Sequence, residues 1–419
     1  MPIFSLAWKS LVNRRTTAAL TVISIALSVA LLVGVERIRN ETRSSFANTI
    51  SDTDLIVGAR GGAVQLLLYS VFRIGDATNN ISWQSYQDIA GHPKVAWAVP
   101  LVLGDSHRGF RVLGTSDDYF QRYRFGRKQD LRFAEGRPFE ALYDAVLGAE
   151  VAAKLGYRLG DMITIAHGAS DVSFTRHDDK PFRVVGILQR SGTPVDRTVH
   201  VGLQSIEAVH VGWQSGAPLP GVEATAEQIR SMDLTPKTVT AVLLGLKSKT
   251  ATFRVQRFVN DYAAEPLSAI LPGVALTQLW GLMGIAENAL LVISAFVVIV
   301  GLFGMLTALL AGLNERRREM AILRSVGARP WHVFTLIMGE ATFLTLLGVA
   351  LGSGWLYGLL LIAKPLIESR FGIAITIGAP TTHEMILFAA VILAGFLAGI
   401  YPAYRAYRLS LADGLSIRV

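Results

Sequence analysis

Four uncharged, apolar runs constrain this chain more than any other feature of its sequence. They are Thr17–Val35, Asn288–Asn314, Ala341–Ala363 and Met385–Tyr404. A helix needs about 20 apolar residues to cross the hydrocarbon core of a bilayer, and each run is near that length. With 51% hydrophobic residues, 17% charged residues and a mean hydropathy of +0.41, the chain is too apolar for an ordinary soluble protein of its size. The sequence therefore predicts a membrane protein with four transmembrane helices.

The stretch 40–265, which follows the first apolar run, is polar and punctuated by glycine. It is over two hundred residues long, which is too long for a structureless loop, so we expect a folded domain outside the membrane. The sequence contains no cysteine. This domain must therefore be stabilised by its own core rather than by disulfides.

The distribution of charge predicts the orientation of the chain. The segments 1–16, 314–330 and 404–419 carry eleven Lys and Arg residues against three acidic residues, which accounts for the whole formal net charge of +8. Basic residues beside membrane spans favour the cytoplasm, so both termini are expected inside and 40–265 outside. Because the rest of the chain is balanced, a nucleic-acid partner is not indicated. The first run is expected to be an uncleaved span, since it ends without an Ala-x-Ala site.

We predict an α-helical membrane protein with an inserted α+β periplasmic domain. Within that domain, 38–107 and 212–273 are expected to pair into a membrane-proximal α+β part, and 108–211 to form a β-rich insertion. The other predicted segments are the N-terminus with the first span (1–37), a stalk with the second span (274–313), a cytoplasmic coupling helix (314–330), the third span (331–363), a short outer loop (364–384), the fourth span (385–404) and a cytoplasmic tail (405–419).

Hydrophobic periodicity predicts the elements of the domain. The absence of proline between Val274 and Asn314 also predicts one continuous helix of about 60 Å, and 38–50 is expected to extend the first span as a polar stalk. The predicted helices of the domain are Val64–Phe72, Trp83–Ala90, Glu150–Leu155 and Thr252–Ala263, and the predicted strands are Asp54–Val57, Val95–Val102, Phe110–Gly114, Asp144–Leu147, Met162–Ala166, Phe182–Leu188, Thr198–Val201 and Thr238–Leu246.

The short segment between the second and third apolar runs is basic and amphipathic. Its pattern predicts a helix that ends at Gly327, and Pro330 is typical of a new helix start. Met320, Leu323 and Val326 would form an apolar stripe on this helix. The stripe fits docking into a partner subunit, although it could also lie on the lipid interface.

Glu340 lies ten residues after Pro330, about 15 Å along a helix, and so falls within the hydrocarbon region. Burying a charge there costs at least about 2.5 kcal/mol. We expect Glu340 to face the other helices and to find a hydroxyl or backbone partner, in preference to acting as a proton relay. Gly348, Gly352 and Gly354 are expected to allow close helix packing.

No enzymatic or metal-binding motif is indicated. The sequence has no G-x-x-x-x-G-K-[ST] phosphate loop and no H-E-x-x-H, so hydrolysis of ATP would need a partner. His167, His177, Asp178, Asp179 and His200 could gather in space. Solvated loop residues are the favoured interpretation of this group over a zinc site.

Three motifs resemble the FtsX-like permease family of ABC transporters, which contains macrolide-efflux and lipoprotein-release permeases. The resemblance covers nearly the whole chain. Leu411 departs from it, because a proline is common there. The motifs are Glu319-x-Ala321-x-x-Arg324-x-x-Gly327-Ala328, then Glu340 with Gly348 and Gly352, then Tyr401-Pro402-Ala403-x-x-Ala406, with weaker matches to the periplasmic core at 112–115, 136–139, 145–148, 155–161 and 182–188.

The resemblance implies a permease of the bacterial inner membrane that dimerises with an identical or different protomer. A separate dimeric cytoplasmic ATPase would bind ATP and magnesium, while this chain binds no cofactor and transmits motion to the periplasm. A hydrophobic, peptide or lipoprotein-like substrate is expected, with a periplasmic or outer-membrane partner possible. The ATPase-coupling residues would be Glu315, Arg318, Glu319, Met320, Leu323, Arg324, Val326, Gly327 and Ala328.

Two further interpretations stay open. The apolar helix with Val64, Leu67, Leu68, Val71 and Phe72 is favoured as core, but it is also the candidate surface for a lipid-like substrate. A membrane-anchored periplasmic sensor or scaffold that recruits a cytoplasmic regulator is the alternative function, which the absence of any cytoplasmic domain in the sequence disfavours.

Overall fold

The computed structural model describes residues 14–167, 180–211, 213–214, 217–218, 228–229, 231–371 and 378–408. These residues fall into two compact units. The helical unit comprises 14–41, 283–366 and 378–408, and the sheet unit comprises the described residues of 42–282 together with 367–371. In chain order the helices are α1 (Arg15–Ala47), α2 (Ala63–Leu67, continued by a π-helical turn Leu68–Phe72), α3 (Trp83–Ala90), α4 (Asp118–Arg122), α5 (Ala149–Leu155), α6 (Leu203–His210), α7 (Thr252–Asn260), α8 (Pro272–Glu315), α9 (Arg317–Ser325), α10 (Pro330–Phe371) and α11 (Thr382–Arg408).

Four of the described helices are long and apolar enough to cross a membrane, namely α1, α8, α10 and α11. Each contains one of the four predicted apolar runs. The predicted continuity of the second span is confirmed, because α8 runs unbroken over 44 residues. The polar extension of the first span is also helical, as far as Ala47.

The inner surface of the helical unit is apolar, and so is much of its outer surface. Val22, Ile25 and Val29 of α1 recur at helical spacing and are buried against α8, α10 and α11. In contrast, Phe296 and Ile362 are 63% and 78% exposed. Large apolar side chains with this exposure fit contact with lipid or with another membrane helix.

The sheet unit is built around one sheet of eleven strands. Its hydrogen-bonded order is β17-β1-β16-β3-β4-β12-β8-β11-β7, with β10 beside β3 and β9 beside β11. The strands, including the short pairs outside this sheet, are β1 (Leu55–Ala59), β2 (Ile81–Ser82), β3 (Val95–His107), β4 (Phe110–Thr115), β5 (Arg124–Phe125), β6 (Gln129–Asp130), β7 (Phe133–Gly136), β8 (Asp144–Leu147), β9 (Met162–Ile163), β10 (Ala166–His167), β11 (Phe182–Leu188), β12 (Thr198–Gly202), β13 (Trp213–Gln214), β14 (Ala217–Pro218), β15 (Thr238–Val239), β16 (Ala241–Leu246) and β17 (Leu267–Ile270).

The sheet continues across the predicted boundary between residues 107 and 108. This boundary falls on the β3–β4 hairpin, where Arg108 and Gly109 both have positive φ, at 45° and 80°. His107 pairs with Phe110 across that turn, and β3 pairs with β16 along its first half. The predicted inner and outer parts of the domain therefore share one hydrogen-bonded sheet.

Alternation along β1 shows how helices cover both faces of this sheet. Leu55 and Val57 pack with Ile89 of α3 and Val255 of α7. Ile56, which points to the opposite face, belongs to a second cluster with residues of α2. The sheet unit is thus an α+β domain, as predicted from the sequence.

Candidate functional site

The segment between α8 and α10 forms the predicted short helix. After α9 ends, the Gly327 backbone adopts φ +103°, a conformation that only glycine adopts without strain. The N–H of Ala328 donates to the Leu323 carbonyl at 3.0 Å, which satisfies an otherwise unpaired helix terminus. Pro330 then begins α10, where its missing N–H costs nothing. The glycine end and the proline start fix where α9 stops and α10 begins.

One side of α9 is fastened to the helical unit. Met320 and Ala321 are buried, and Met320 packs in a cluster with Ile337 of α10 and Ala403 of α11. The predicted docking stripe is therefore corrected at Met320, which contacts the chain's own helices. Its side chain is not available to a partner.

The opposite side of α9 remains apolar and exposed. Val326 is 83% exposed and Ile322 is 52% exposed, while Leu323 is half-buried. Ile322 did not figure in the sequence-based stripe, because a period of three residues from Met320 does not reach it. Of the other predicted coupling residues, Glu319 and Gly327 are exposed, Arg324 and Ala328 are half-buried, and the side chains of Glu315 and Arg318 lie outside the described part of the structure.

A buried ion pair joins the start of the coupling segment to α10. Arg316 is 6% exposed, and its Nη2 donates to Glu340 Oε1 at 3.1 Å while Nη1 donates to Oε2. This two-pronged geometry is the strongest form of a charge-assisted hydrogen bond between side chains. Glu340 therefore faces the helices as expected, but its partner is a guanidinium rather than the expected hydroxyl or backbone group.

Two of the three predicted packing glycines lie at close helix contacts. A Cβ on Gly352 would overlap the backbone of Ala26 in α1, and one on Gly348 would lie 2.6 Å from Ile25 Cγ2. Gly354 is different, because a Cβ there would meet nothing within 4 Å. The packing interpretation is thus supported for Gly348 and Gly352 and is corrected for Gly354.

A second ion pair, buried at both partners, involves Arg37 in the second half of α1. Arg37 and Glu384 are 4% and 1% exposed, and Arg37 Nη1 lies 3.1 Å from Glu384 Oε1. Tyr357 of α10 completes the group, since it accepts from Arg37 at 2.9 Å and donates to Glu384 at 3.2 Å. These contacts connect α1, α10 and α11.

The sequence analysis did not predict this group, although the residues at the start of α11 contain one local pattern that indicates part of it. Thr381 and Glu384 form a capping box at the start of α11, in which the Thr381 N–H donates to Glu384 Oε2 at 3.0 Å and the Glu384 N–H donates to Thr381 Oγ1 at 3.3 Å. The T-x-x-E spacing predicts that cap. It does not predict that the same carboxylate also binds Arg37.

The candidate substrate-facing residues are mostly core. Leu67, Val71 and Phe72 are buried, whereas Val64 and Leu68 are half-buried. Phe72 nevertheless contributes an edge to a cavity of the sheet unit.

The structure does not bring the predicted histidine group together among the residues that it describes. His177, Asp178 and Asp179 lie outside them, as does the side chain of His167. His200 is corrected from a solvated loop position to a fully buried position within β12. Its Nδ1 lies 3.3 Å from the Val146 carbonyl oxygen, and burial, aided by the charge of Arg73, lowers its pKa to about 3. Among the described residues, no group of three or more His, Cys, Asp or Glu side chains is arranged to hold a metal ion.

Comparison with known proteins gives two family matches. Residues 18–254 match the MacB-like periplasmic core domain, and residues 291–411 match the FtsX-like permease C-terminal domain. The first match alone covers more than half of the chain.

Individual relatives are distant. The macrolide export ATP-binding/permease protein MacB of Nitrosomonas europaea is 22% identical over 98% of this chain, which spans 58% of that relative's length. The lipoprotein-releasing system transmembrane protein LolC of Xylella fastidiosa is 22% identical over 93% of this chain and 98% of its own length. Among solved structures, the periplasmic region of MacB from Actinobacillus actinomycetemcomitans aligns with 55% of this chain and 94% of that one, at a TM-score of 0.34 and 10% identity.

The two family matches follow one another along the chain in the same order as the observed elements. The first covers α1 and most of the sheet unit, and the second covers the coupling segment with the last two long helices. The chain therefore belongs to the FtsX-like permeases of ABC transporters that carry a MacB-like periplasmic core domain.

Proposed function

We propose that this chain is the permease subunit of an ABC transporter in which a separate cytoplasmic ATPase drives movement of the periplasmic domain. The movement exports or extracts a hydrophobic, peptide or lipoprotein-like substrate. Two of the relatives are named for macrolide export and for lipoprotein release, which supports this substrate range. ATP and magnesium belong to the ATPase, and a second permease protomer completes the assembly.

The observation that carries this proposal is the two-sided packing of α9. Its buried side is held by Met320 and, at the residue that precedes the helix, by the Arg316–Glu340 pair, so we expect a displacement of α9 to move α8 and α10 with it. Its other side presents Ile322 and Val326, which suit an apolar groove on a partner subunit. A push on α9 would thus be transmitted to two membrane helices.

The length of α8 supports transmission beyond the helical unit. Its 44 residues extend for about 66 Å, well above the roughly 30 Å of a bilayer core. The strand β17 ends at Ile270, two residues before α8 begins. One helix therefore connects the coupling segment to the sheet of the extramembrane domain along the chain.

The orientation that the proposal requires places 314–330 and both termini in the cytoplasm and 42–271 in the periplasm. The balance of basic residues supports this arrangement. Single cysteines introduced at Ser325 and at Ser231 of this cysteine-free chain test it with a membrane-impermeant thiol reagent in cells with a permeabilised outer membrane. We expect labelling of the cysteine at position 231 alone. Labelling at position 325 alone would show that the topology is the opposite of the proposed one.

The docking role is tested with Ile322→Glu, which places a carboxylate in the proposed apolar contact. Burying an unpaired charge costs several kcal/mol, so the ATPase should be lost from the purified complex. Leu323→Glu is expected to act in the same direction, but less cleanly because Leu323 is half-buried. The ABC ATPase that co-purifies from the native membrane in detergent is identified and quantified by mass spectrometry.

Ser325→Glu is the matched control, since Ser325 is exposed on the same helix and is already polar. Normal membrane insertion of all variants is checked by the same thiol labelling. If the Ile322→Glu variant still co-purifies with the ATPase, and the complex hydrolyses ATP at the rate of the unmutated complex, α9 is not the docking element. A sensor or scaffold would then be supported if the unmutated chain co-purified with a regulator and no ATPase.

A further inference from the structure

A cavity of about 250 Å³ opens within the sheet unit. It lies between the end of α1, the turn after α2, the start of β4 and the short 3₁₀ turn Pro194–Arg197. At about 30 Å³ for a group of the size of water, this volume holds roughly eight such groups. The cavity is therefore sized for a small ligand or for one end of a longer ligand.

Aromatic and aliphatic side chains form one part of its lining. Phe46 and Phe72 pack against each other with ring centroids 4.4 Å apart, and Phe110 is buried beside them. Ile74 is 52% exposed at the rim. An apolar wall that leads from the buried rings of Phe72 and Phe110 to an exposed aliphatic side chain suits a hydrocarbon chain that enters from outside.

The charged part of the lining consists of three arginines. They are Arg73, at the end of α2, Arg111, on β4, and Arg197, at the end of the 3₁₀ turn. The parallel pairing of β4 with β12 brings two of them together, because Arg111 is in register with Thr198, the neighbour of Arg197. No Asp or Glu is among the described residues that line the cavity.

The carboxylates that pair with these arginines lie outside the lining. Arg111 Nη1 lies 2.8 Å from Asp76 Oδ1, but Asp76 is 70% exposed, so this pair is weak. Arg197 Nε is 3.5 Å from Glu150, which Lys154 also binds at 3.0 Å. The carboxylates that these contacts name therefore approach Arg111 and Arg197 from outside the cavity.

The guanidinium of Arg73 is only partly satisfied by the protein, where its Nη1 donates to the Ser70 carbonyl. Its Nε is buried and has no hydrogen-bond partner among the described residues. Buried polar atoms are nearly always paired in native proteins. A ligand oxygen in the cavity would supply such an acceptor.

We propose that this cavity binds the anionic head group and first carbons of a single-chain amphiphile, with the arginines holding a carboxylate or phosphate and the aromatic wall holding the chain. The inference rests on the proposed transport function, for which it names the chemistry of a substrate or of a regulatory lipid. Guanidinium groups bind both anions through paired hydrogen bonds. The head group could belong to a free amphiphile or to a bilayer lipid, and the experiment separates these sources.

The test uses the full chain in phosphatidylcholine nanodiscs, with a diazirine-bearing decanoate as the photoreactive probe. Labelled peptides are mapped by mass spectrometry, and unlabelled compounds compete for the site. We expect decanoate and decyl phosphate to compete and decyltrimethylammonium, which has the same chain but the opposite charge, to compete at least about tenfold more weakly. Inorganic phosphate alone should compete poorly, because it leaves the apolar wall empty.

The arginines are tested directly with the double variant Arg111→Gln with Arg197→Gln. Loss of charge-assisted hydrogen bonds should weaken decanoate binding by about tenfold or more. Arg254→Gln is the control, since Arg254 is exposed on α7 and outside the cavity. Asp76→Asn provides a variant that should fold normally, because Asp76 is exposed, and it should strengthen binding two- to threefold by releasing Arg111 from its partner.

Labelling that maps outside the cavity, equal competition by the cationic amphiphile, or unchanged binding in both the double variant and Asp76→Asn would overturn the proposal. Repeating the experiment in discs that contain phosphatidylglycerol identifies the source of the head group. Blocked labelling indicates a membrane lipid as the occupant, whereas persistent labelling indicates a free amphiphile, and both results uphold the site. Since no ATPase is present, failure of this test leaves the docking role of α9 standing, and failure of ATPase co-purification leaves the cavity standing.

Discussion

Buried titratable side chains in the helical unit and His200 in the sheet unit respond to burial in opposite ways. In the helical unit, Arg37, Glu384 and Arg316 are all at least 94% buried and take part in ion pairs. In the sheet unit, the fully buried His200 has no carboxylate among the described residues that raises its pKa, and burial lowers that pKa so far that the ring is neutral. The buried arginines and Glu384 thus keep their charge through partners, whereas His200 gives up its charge.

The difference follows from what surrounds each unit. Helices within a bilayer gain little from burying apolar surface against one another, because lipid tails are equally apolar. Close contacts at Gly352 and polar bonds such as Arg37–Glu384 therefore specify which helices meet. The sheet unit is stabilised by three apolar clusters from which water is excluded, so a charge buried there without a partner would only be a cost.

The largest predicted effect comes from breaking the Arg37–Glu384 pair. Glu384→Ala leaves Arg37 buried without its carboxylate, which should destabilise the helical unit by about 3 to 5 kcal/mol. Unfolding of the full chain in nanodiscs, followed by steric trapping on α1 and α11, measures this loss. His383→Ala is the control, because the exposed His383 only approaches Glu36 at 3.7 Å, and it should change stability by less than about 1 kcal/mol.

Replacing both partners separates the cost of an unpaired charge from the value of the pair. The double variant Arg37→Met with Glu384→Met should recover most of the lost stability, since an apolar pair of similar volume carries no desolvation cost. If Glu384→Ala alone were as stable as the unmutated chain, polar bonding would not specify the packing of these helices.

The next effect concerns the backbone of α8. Ala295→Pro removes one hydrogen bond and introduces a clash, costing about 3 kcal/mol or more and kinking the helix. We expect normal insertion and ATPase binding, but loss of transport and of any ATP-dependent change in distance between spin labels on the sheet units of two protomers. Ala295→Gly keeps the N–H and is the control. Identical label distances with and without ATP in the unmutated, ATP-hydrolysing complex would contradict transmission through α8.

A smaller effect distinguishes glycines that pack from glycines that do not. Gly352→Ala should destabilise the helical unit by about 1 to 3 kcal/mol, because its Cβ would overlap the Ala26 backbone. Gly354→Ala, two residues further on, meets open space and should stabilise the helix by up to about 1 kcal/mol. Thermal unfolding in the same nanodiscs measures both, and equal effects at the two positions would remove close packing as the explanation.

Sequence patterns predicted the elements of both units because those elements depend on local chemistry. Apolar runs, glycine and proline signals define α8, α9 and α10, and alternation defines strands such as β11. The rotation of a helix about its axis is not local, which is why Met320 was assigned to the wrong side of α9. Likewise, the Arg37–Glu384 contact joins residues 347 positions apart, and no pattern around either residue encodes its partner.

The continuity of the sheet was unpredictable for a similar reason. The strands of 108–211 lie in sequence between the two predicted membrane-proximal segments, as the strands of an inserted subdomain would. In the structure, however, β4 is the second strand of the hairpin that β3 begins. Strand order depends on which edges pair, and pairing is a property of the folded chain. His200 shows the same limit at one residue, since only the strand neighbours that bury it determine whether it is solvated.

The smallest predicted effect tests the suppressed charge at His200. Its pKa of about 3 in the folded state lies below the ordinary value of 6.5, so between these values the unfolded chain binds a proton that the folded chain does not. Stability should therefore fall as the pH drops below 6.5, by about 1.4 kcal/mol at pH 5.5. Hydrogen exchange of β12 amides at pH 7.5 and 5.5, corrected for intrinsic rates, measures the opening free energy, and His200→Gln should lack this part of the pH dependence.

His210 provides the contrast within the same unit. Burial acts to lower its pKa, but the hydrogen bond and charge of Asp105 outweigh burial and raise the pKa. A raised histidine pKa contributes stability that grows as the pH falls toward 6.5 and is complete well below it, so between pH 7.5 and 5.5 His210 opposes the loss that His200 causes. His210→Gln should accordingly leave the acid sensitivity in place. If His200→Gln and the unmutated chain lost the same free energy between pH 7.5 and 5.5, His200 would not be a suppressed charge, and the contrast between the two units would rest on the ion pairs alone.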